Sequence, residues 1–432
     1  MSLMPTAAKA CYYHWLLGLP EPTGDWSAAP APTDASSAVA QLESADAEDD
    51  AAVTAAISDS DATVITADAQ PATPITDPTI TSWMINNTTY GYSTNATVDS
   101  VVSKILANVQ TVAYTSTDVY IKATGIPSAT LGSYGSDPAI PTNVNLTYDI
   151  PRTPEVNTGT KTAVGLGTIG VAVNGVSLFN PWDGMTYNND GYWQQNANVF
   201  EASTFDSGPG HPAPLTGKTV STSSGTEPAG IYHYHEDPTS LLNQLDPGNT
   251  GQHASPIIGY AADGYPVFGP YGYKTDASGN VIYNSNGQPE VELMTSSYQE
   301  VSYTNGIRPD GGPTTAAEPD GSYIQDFTYV AGSGTLDQYN GRYVSSAPGY
   351  PDGTYAYYVT TTYPYIIGPD YYGVVQTDDL PNGTITVPGN VTYYTPAVPE
   401  PAMGMVILGT VFVLRRRAGG IEGGIENKIS HR

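Results

Sequence analysis

Four of the six histidines in the chain, His211, His233, His235 and His253, fall within 43 residues. Imidazole is the commonest protein ligand for transition metals, and clustering of this kind asks for a chemical cause. In Ile231-Tyr232-His233-Tyr234-His235 the two kinds of ring alternate, so a strand turns both imidazoles to one face and both phenols to the other. Same-face neighbours lie about 7 Å apart at the backbone, near enough for both rings to reach one ion. His211 or His253 could add a third ligand, and water, Glu236, Asp237 or Asp263 a fourth, which completes a site for a divalent transition metal. Imidazole without thiolate suits Zn, Cu, Fe or Ni, with Cu and Zn the leading candidates. Three His with an open position would allow hydrolysis by an activated water, and copper would allow redox chemistry or sequestration. Tyr hydroxyls and carboxylates could instead satisfy each ring separately in a polar network. Convergence of the ring nitrogens is what separates the two readings.

Such a strand needs neighbours to hold it. From Ser82 onward, β-branched and aromatic residues alternate in short runs punctuated every 8–12 residues by Gly, Asn, Asp and Pro, the pattern of a mainly β chain. The expected architecture is a multi-stranded antiparallel sandwich or barrel-like domain with long loops. Residues 111–114, 119–123 and 144–150 read as strands, and 96–109 carries apolar residues at helical spacing. Residues 257–261 and 265–268, flanking Asp263-Gly264, read as a hairpin beside the His strand with Asp263 at its tip. Arg342 follows an Asn-Gly turn and could clamp Asp337 or an acidic ligand.

Composition narrows the function. Forty-two acids against fourteen Lys and Arg give a net charge of −28, which excludes a nucleic-acid partner. Charged residues are 13% of the chain and Tyr numbers 33, so uncharged polar groups must carry the surface, as in exported proteins. Cys11 is the single cysteine, leaving no intrachain disulfide and no Cys-based metal site. Residues 1–79 are acidic, of low complexity and expected to be disordered; 80–163 read as a β-rich portion, 164–396 as the main β domain, and 418–432 as a polar tail. Between them, 402–414 is an uncharged run expected to form a short apolar helix, followed by Arg415, Arg416 and Arg417. That run is too short to cross about 30 Å of hydrocarbon untilted.

Two stretches resemble known families. Gly210-His211-Pro212, Tyr232-His233-Tyr234-His235 and the run 253–273 with its Asp263-Gly264-Tyr265-Pro266 resemble the YHYH protein family. The likeness extends over about 164–375 and includes Phe179-Asn180-Pro181 and Asn340-Gly341-Arg342. It implies that His211, His233, His235, His253 and Asp263 occupy signature positions. Val398-Pro399-Glu400-Pro401, the apolar run and the Arg cluster, in that order, resemble the PEP-CTERM sorting signal. That likeness implies transient residence in a bacterial inner membrane, processing by an exosortase-type enzyme, and a final place on the cell surface, in the outer envelope or in the extracellular matrix, with polysaccharide as a partner. The competing expectation is a non-catalytic matrix, adhesion or carbohydrate-binding protein with structural histidines, whose Tyr-rich surfaces stack on sugars and whose acidic loops take Ca²⁺.

Overall fold

Branched and aromatic side chains pack well on a pleated surface, and the alternating runs do pair as strands. The structure, a computed structural model, describes residues 75–135, 137–375 and 385–396. Met1–Tyr394 and Thr395–Arg432 separate as two units, and the architecture below belongs to the first. The acidic stretch 1–74 and everything from residue 397 onward, including the sorting-signal-like segment, the apolar run and the tail, lie outside the described residues.

A four-stranded antiparallel sheet has the order β19 (Thr392–Tyr393), β1 (Val109–Tyr114), β2 (Asp118–Ala123), β4 (Leu146–Pro151). A nine-stranded sheet runs β17 (Gly341–Val344), β18 (Thr354–Tyr358), β12 (Pro266–Phe268), β11 (Ile257–Ala261), β5 (Thr168–Ala172), β6 (Ser177–Phe179), β10 (Gly225–Tyr234), β3 (Ile140–Pro141). Its ninth strand, β9 (Gly210–Thr222), pairs along β10. Three ribbons are added: β7 (Trp182–Thr186) with β8 (Gln194–Asn196), β13 (Tyr271–Tyr273) with β14 (Val291–Leu293), and β15 (Tyr298–Glu300) with β16 (Phe327–Tyr329).

The mainly β class holds, but the large sheet is mixed. Strand β10 runs parallel to β6 and to β3, and β12 runs parallel to β18. Tight turns force antiparallel pairing, as in β9–β10 and β11–β12, whereas strands joined through long excursions are free to pair in parallel. The helical spacing over 96–109 is only half helix. Ala96–Val102 is helical and buries Val98, Val101 and Val102, with the Asn95 side chain accepting from the N–H groups of Thr97 and Val98. Asn108 then takes φ 66°, a value no helix tolerates, and Val109 opens β1.

One buried cluster draws on residues from Ile80 to Tyr371, on both sides of residue 163. Tyr148 of β4 meets Ser177 of β6 at 2.8 Å between hydroxyls, tying the two sheets together. Val171, Val176 and Leu178 are wholly buried, each contributing roughly 1.5–3 kcal/mol. They fix the β5–β6 hairpin against the strand that carries the His pair. The β11–β12 hairpin forms as expected, but β5 and β6 lie between it and β10. At about 4.8 Å per strand, that places it about 14 Å from the His strand.

Candidate metal centre

Alternation along β10 does what its sequence demands. Tyr232 and Tyr234 turn to one side, where the Tyr232 hydroxyl donates to Asp206 and the Tyr234 hydroxyl accepts from the Asn174 side-chain amide. His233 and His235 turn to the other. His211 sits on β9 directly opposite His233 in the antiparallel register, so its ring falls on the same face. The chain before it must pass close under Tyr232: a Cβ added at Gly210 would lie 2.4 Å from the Tyr232 ring, so only glycine fits there. One ligand atom from each of His211, His233 and His235 lies within 4.8 Å of the others, and all three residues are buried.

The hydrogen bonds of the three rings decide which nitrogens face the common point. His233 Nδ1 is 3.1 Å from the carbonyl of Ile231, and His235 Nδ1 is 2.5 Å from the carbonyl of Asn180. A carbonyl can only accept, so both Nδ1 atoms carry the proton. The Thr204 hydroxyl donates to the Glu201 carbonyl at 2.7 Å, and its oxygen therefore accepts from His211 Nδ1–H at 2.8 Å. In the neutral tautomer that these bonds select, Nε2 is the nitrogen with the bare lone pair. His233 Nε2 and His235 Nε2 are 2.9 Å apart, and His211 Nε2 is sealed from solvent with no hydrogen-bond partner. Lone pairs repel at such distances unless a cation lies between them.

A second proton is not an easy remedy. Burial first, then the neighbouring His211 and His235, hold His233 well below the usual imidazole pKa, against a small opposing pull from the Ile231 carbonyl. Burial, with His211 second, pushes His235 down to about 3. Both rings stay neutral at ordinary pH, the form that ligates metal. Phe179 stacks on His233 with centroids 4.0 Å apart and meets His235 edge-on, which fixes both ring planes. A cavity of about 150 Å³ opens beside the rings, walled by Leu166, Phe179, Trp182, Phe200 and Pro212 and edged by Asp137 and Glu201. A cavity of that size has room for a ligand about as large as a benzene ring.

Sequence reading missed Glu201, Thr204 and Asn180. Asn196 caps the helix Ala197–Phe200 by accepting from the Asn198 N–H, and the turn Ala202–Thr204 follows. These two short elements deliver Glu201 and Thr204 over the His face. Glu201 Oε2 lies 3.6 Å from His211 Nε2 and 3.5 Å from His235 Nε2. That oxygen is itself buried and has no hydrogen-bond partner. Burial, then the charges of Asp183 and Asp137, hold the carboxyl well above the ordinary Glu value. Only the phrase Phe179-Asn180-Pro181 had marked Asn180, and its carbonyl is what orients His235.

The other sequence candidates lie elsewhere. His253 is on an exposed loop, its Nε2 3.4 Å from Asp246 and its ring 60% exposed. It follows helix Thr239–Leu245 and precedes β11, which takes it away from the β9–β10 face. Glu236 accepts from Asn198, and neither it nor Asp237 belongs to the converging set. Asp263 is at its expected hairpin tip but wholly buried, accepting from the Tyr357 hydroxyl at 2.5 Å and from the N–H groups of Gly373 and Tyr265. That is a turn-holding role. Arg342 pairs with Glu292 at 2.8 Å rather than with Asp337, which is occupied by the Tyr355 hydroxyl and the N–H groups of Tyr339 and Gly341.

Asp263 gives the first testable consequence. Burial raises its pKa to about 6, against the hydrogen bonds that pull it down. The folded state therefore holds the proton more tightly than the unfolded chain, whose Asp titrates near about 3.9. The associated stability is complete below about pH 4 and lost as pH rises through about 6, amounting to roughly 2–3 kcal/mol. Asp263→Asn should flatten the denaturation free energy over that window and leave the metal content unchanged. A loss of metal in this variant would return Asp263 to the ligand set.

The fold and site together define a β domain with a buried tri-histidine cluster at the end of a paired strand. The family model described as YHYH protein matches residues 147–369, just over half of the chain, and the chain belongs to that family. No curated protein and no solved structure matches it.

Proposed function

We propose that the protein binds a divalent transition metal through His211, His233 and His235, and that it does so on the outside of a bacterial cell. One observation carries the metal reading: three imidazoles, each with Nδ1–H committed to an oxygen, aim bare Nε2 atoms at one buried point. The donor set fits borderline ions such as zinc or copper, which take three His with a further position open. The fixed tautomers match the usual outer arrangement of ligating His, in which the second ring nitrogen donates to an oxygen. Each Nδ1 has its own oxygen, as a structural role for the rings would also require, but the Nε2 atoms face one another rather than separate partners, which favours the metal reading. A bound ion would supply Lewis acidity or, for copper, electron transfer, while Phe179, Trp182 and Phe200 limit access to small ligands.

The surface location rests on sequence alone: the Val398–Pro401 motif, apolar run and Arg415–Arg417 cluster, the acidic surface, and the single cysteine. No helix of the described residues is long and apolar enough to cross a membrane. Elemental analysis of the full chain purified from its native host should find about one equivalent of a transition metal, the content of a single tri-histidine site. Deleting 399–417 should move the protein from the membrane fraction to the soluble fraction. Metal-free native protein would sink the first half of the proposal, and unchanged membrane retention the second.

A further inference from the structure

We propose that Glu201 is the fourth ligand of the same centre, making it an N₃O site built for a divalent ion rather than for monovalent copper. The inference rests on the metal reading and deepens it. Glu201 Oε2 sits 3.5 and 3.6 Å from two of the three bare nitrogens. Two donors each about 2.0–2.1 Å from a tetrahedral ion are about 3.3–3.4 Å apart, and about 2.9 Å apart where the angle closes to a right angle. The His233–His235 separation of 2.9 Å and both Glu201 separations therefore fall within a few tenths of an ångström of ligand–ligand edges.

The alternative is a hydrogen bond within the cluster, and the distances oppose it. A protonated carboxyl donating to imidazole would need about 2.5–3.0 Å, well short of what separates these atoms. His211 Nε2 and Glu201 Oε2 are each buried without a partner, and His211 is 4% exposed. His211 Nε2, His235 Nε2 and Glu201 Oε2 thus face one another with no hydrogen bond between them. No Lys or Arg lines the cavity, while Asp137 adds a second carboxylate to its wall. A hard anionic oxygen strengthens binding of Zn(II), Fe(II) or Mn(II) and contributes little to soft Cu(I).

The test compares wild type with Glu201→Gln, which keeps the shape and removes the charge, using Zn(II) and Cu(I) as probes in chelator competitions. Thermal melting of the metal-free proteins confirms that the variant folds, and Glu201→Ala with added acetate provides a second route through restoration of the missing carboxylate. Zinc affinity should fall at least about 10-fold in Glu201→Gln, with Cu(I) affinity changed less than about 2-fold, and acetate should recover part of the zinc affinity of Glu201→Ala. Wild-type zinc affinity in Glu201→Gln would overturn the assignment while leaving the tri-histidine site intact. Equal losses for both ions would also overturn it, because they would mean that Glu201 merely shapes the pocket. Wild-type protein that binds neither ion would remove the metal reading itself.

Discussion

Replacing His233 and His235 together with alanine should abolish metal binding and with it the rise in melting temperature that zinc produces in the wild type. An ion that binds only the folded chain stabilises it by about 4 kcal/mol when the free ion exceeds the dissociation constant a thousandfold. At roughly 2 °C per kcal/mol for a domain of this size, that is a shift of about 8 °C. The double variant loses two of three nitrogens and leaves His211 with Glu201, too few donors for a tight tetrahedral site. Its zinc-dependent shift should vanish. The metal-free double variant should still fold, because the strand is held by its register with β9 and β6 and by the apolar residues around it. A persisting shift would mean that the stabilising ion sits elsewhere.

The second large effect is on stability. Arg308 and Asp326 are wholly buried as a pair, joined by Nε and Nη2 to the two carboxylate oxygens at 2.7 Å each. The remaining guanidinium donors reach the carbonyls of Pro313, Glu318 and Pro319. Trp193, Tyr303 and Tyr323 surround the cation with centroids 5.2–5.8 Å away. Arg308→Met keeps most of the volume but strands a buried carboxylate, and should cost about 3–5 kcal/mol by chemical denaturation. Adding Asp326→Leu should restore much of that loss, since the uncompensated charge is then gone. The damage should also reach the metal centre. Ser322 accepts from the Asn196 backbone and Gln325 accepts from the Gln194 backbone, and Asn196 caps the helix that ends at Glu201. A loss below about 1 kcal/mol in the single variant would show that the pair is not needed to hold this wall.

The parts of the site that were legible in the sequence are those governed by short-range periodicity. A period of two along 231–235 dictated that His233 and His235 share a face, and clustering within 43 residues left His211 or His253 as the third. Cross-strand register is a different matter. Nothing local says that His211 pairs with His233 rather than with Ile231, and a slip of one residue would have turned its ring to the Tyr face. Glu201 and Thr204 could not be found by spacing, because they arrive on a four-residue helix and a single turn capped by Asn196. Such elements carry too few residues for a periodic signal.

Asp263 and His253 show the converse. Both became candidates through the family resemblance, and the sheet order separates Asp263 from the centre by two strands. The mixed pairing that produces this order depends on long connections, which leave no pattern in the residues they join. Arg342 likewise found Glu292 across a neighbouring ribbon, a partner 50 residues away in the chain.

X-ray absorption at the metal edge of the natively purified protein addresses the tri-histidine centre most directly. Three imidazole nitrogens should scatter at about 2.0–2.1 Å, with one oxygen scatterer at similar distance. An absent edge, or a first shell without the outer-ring scattering of imidazole, would contradict the assignment of His211, His233 and His235 as the ligands.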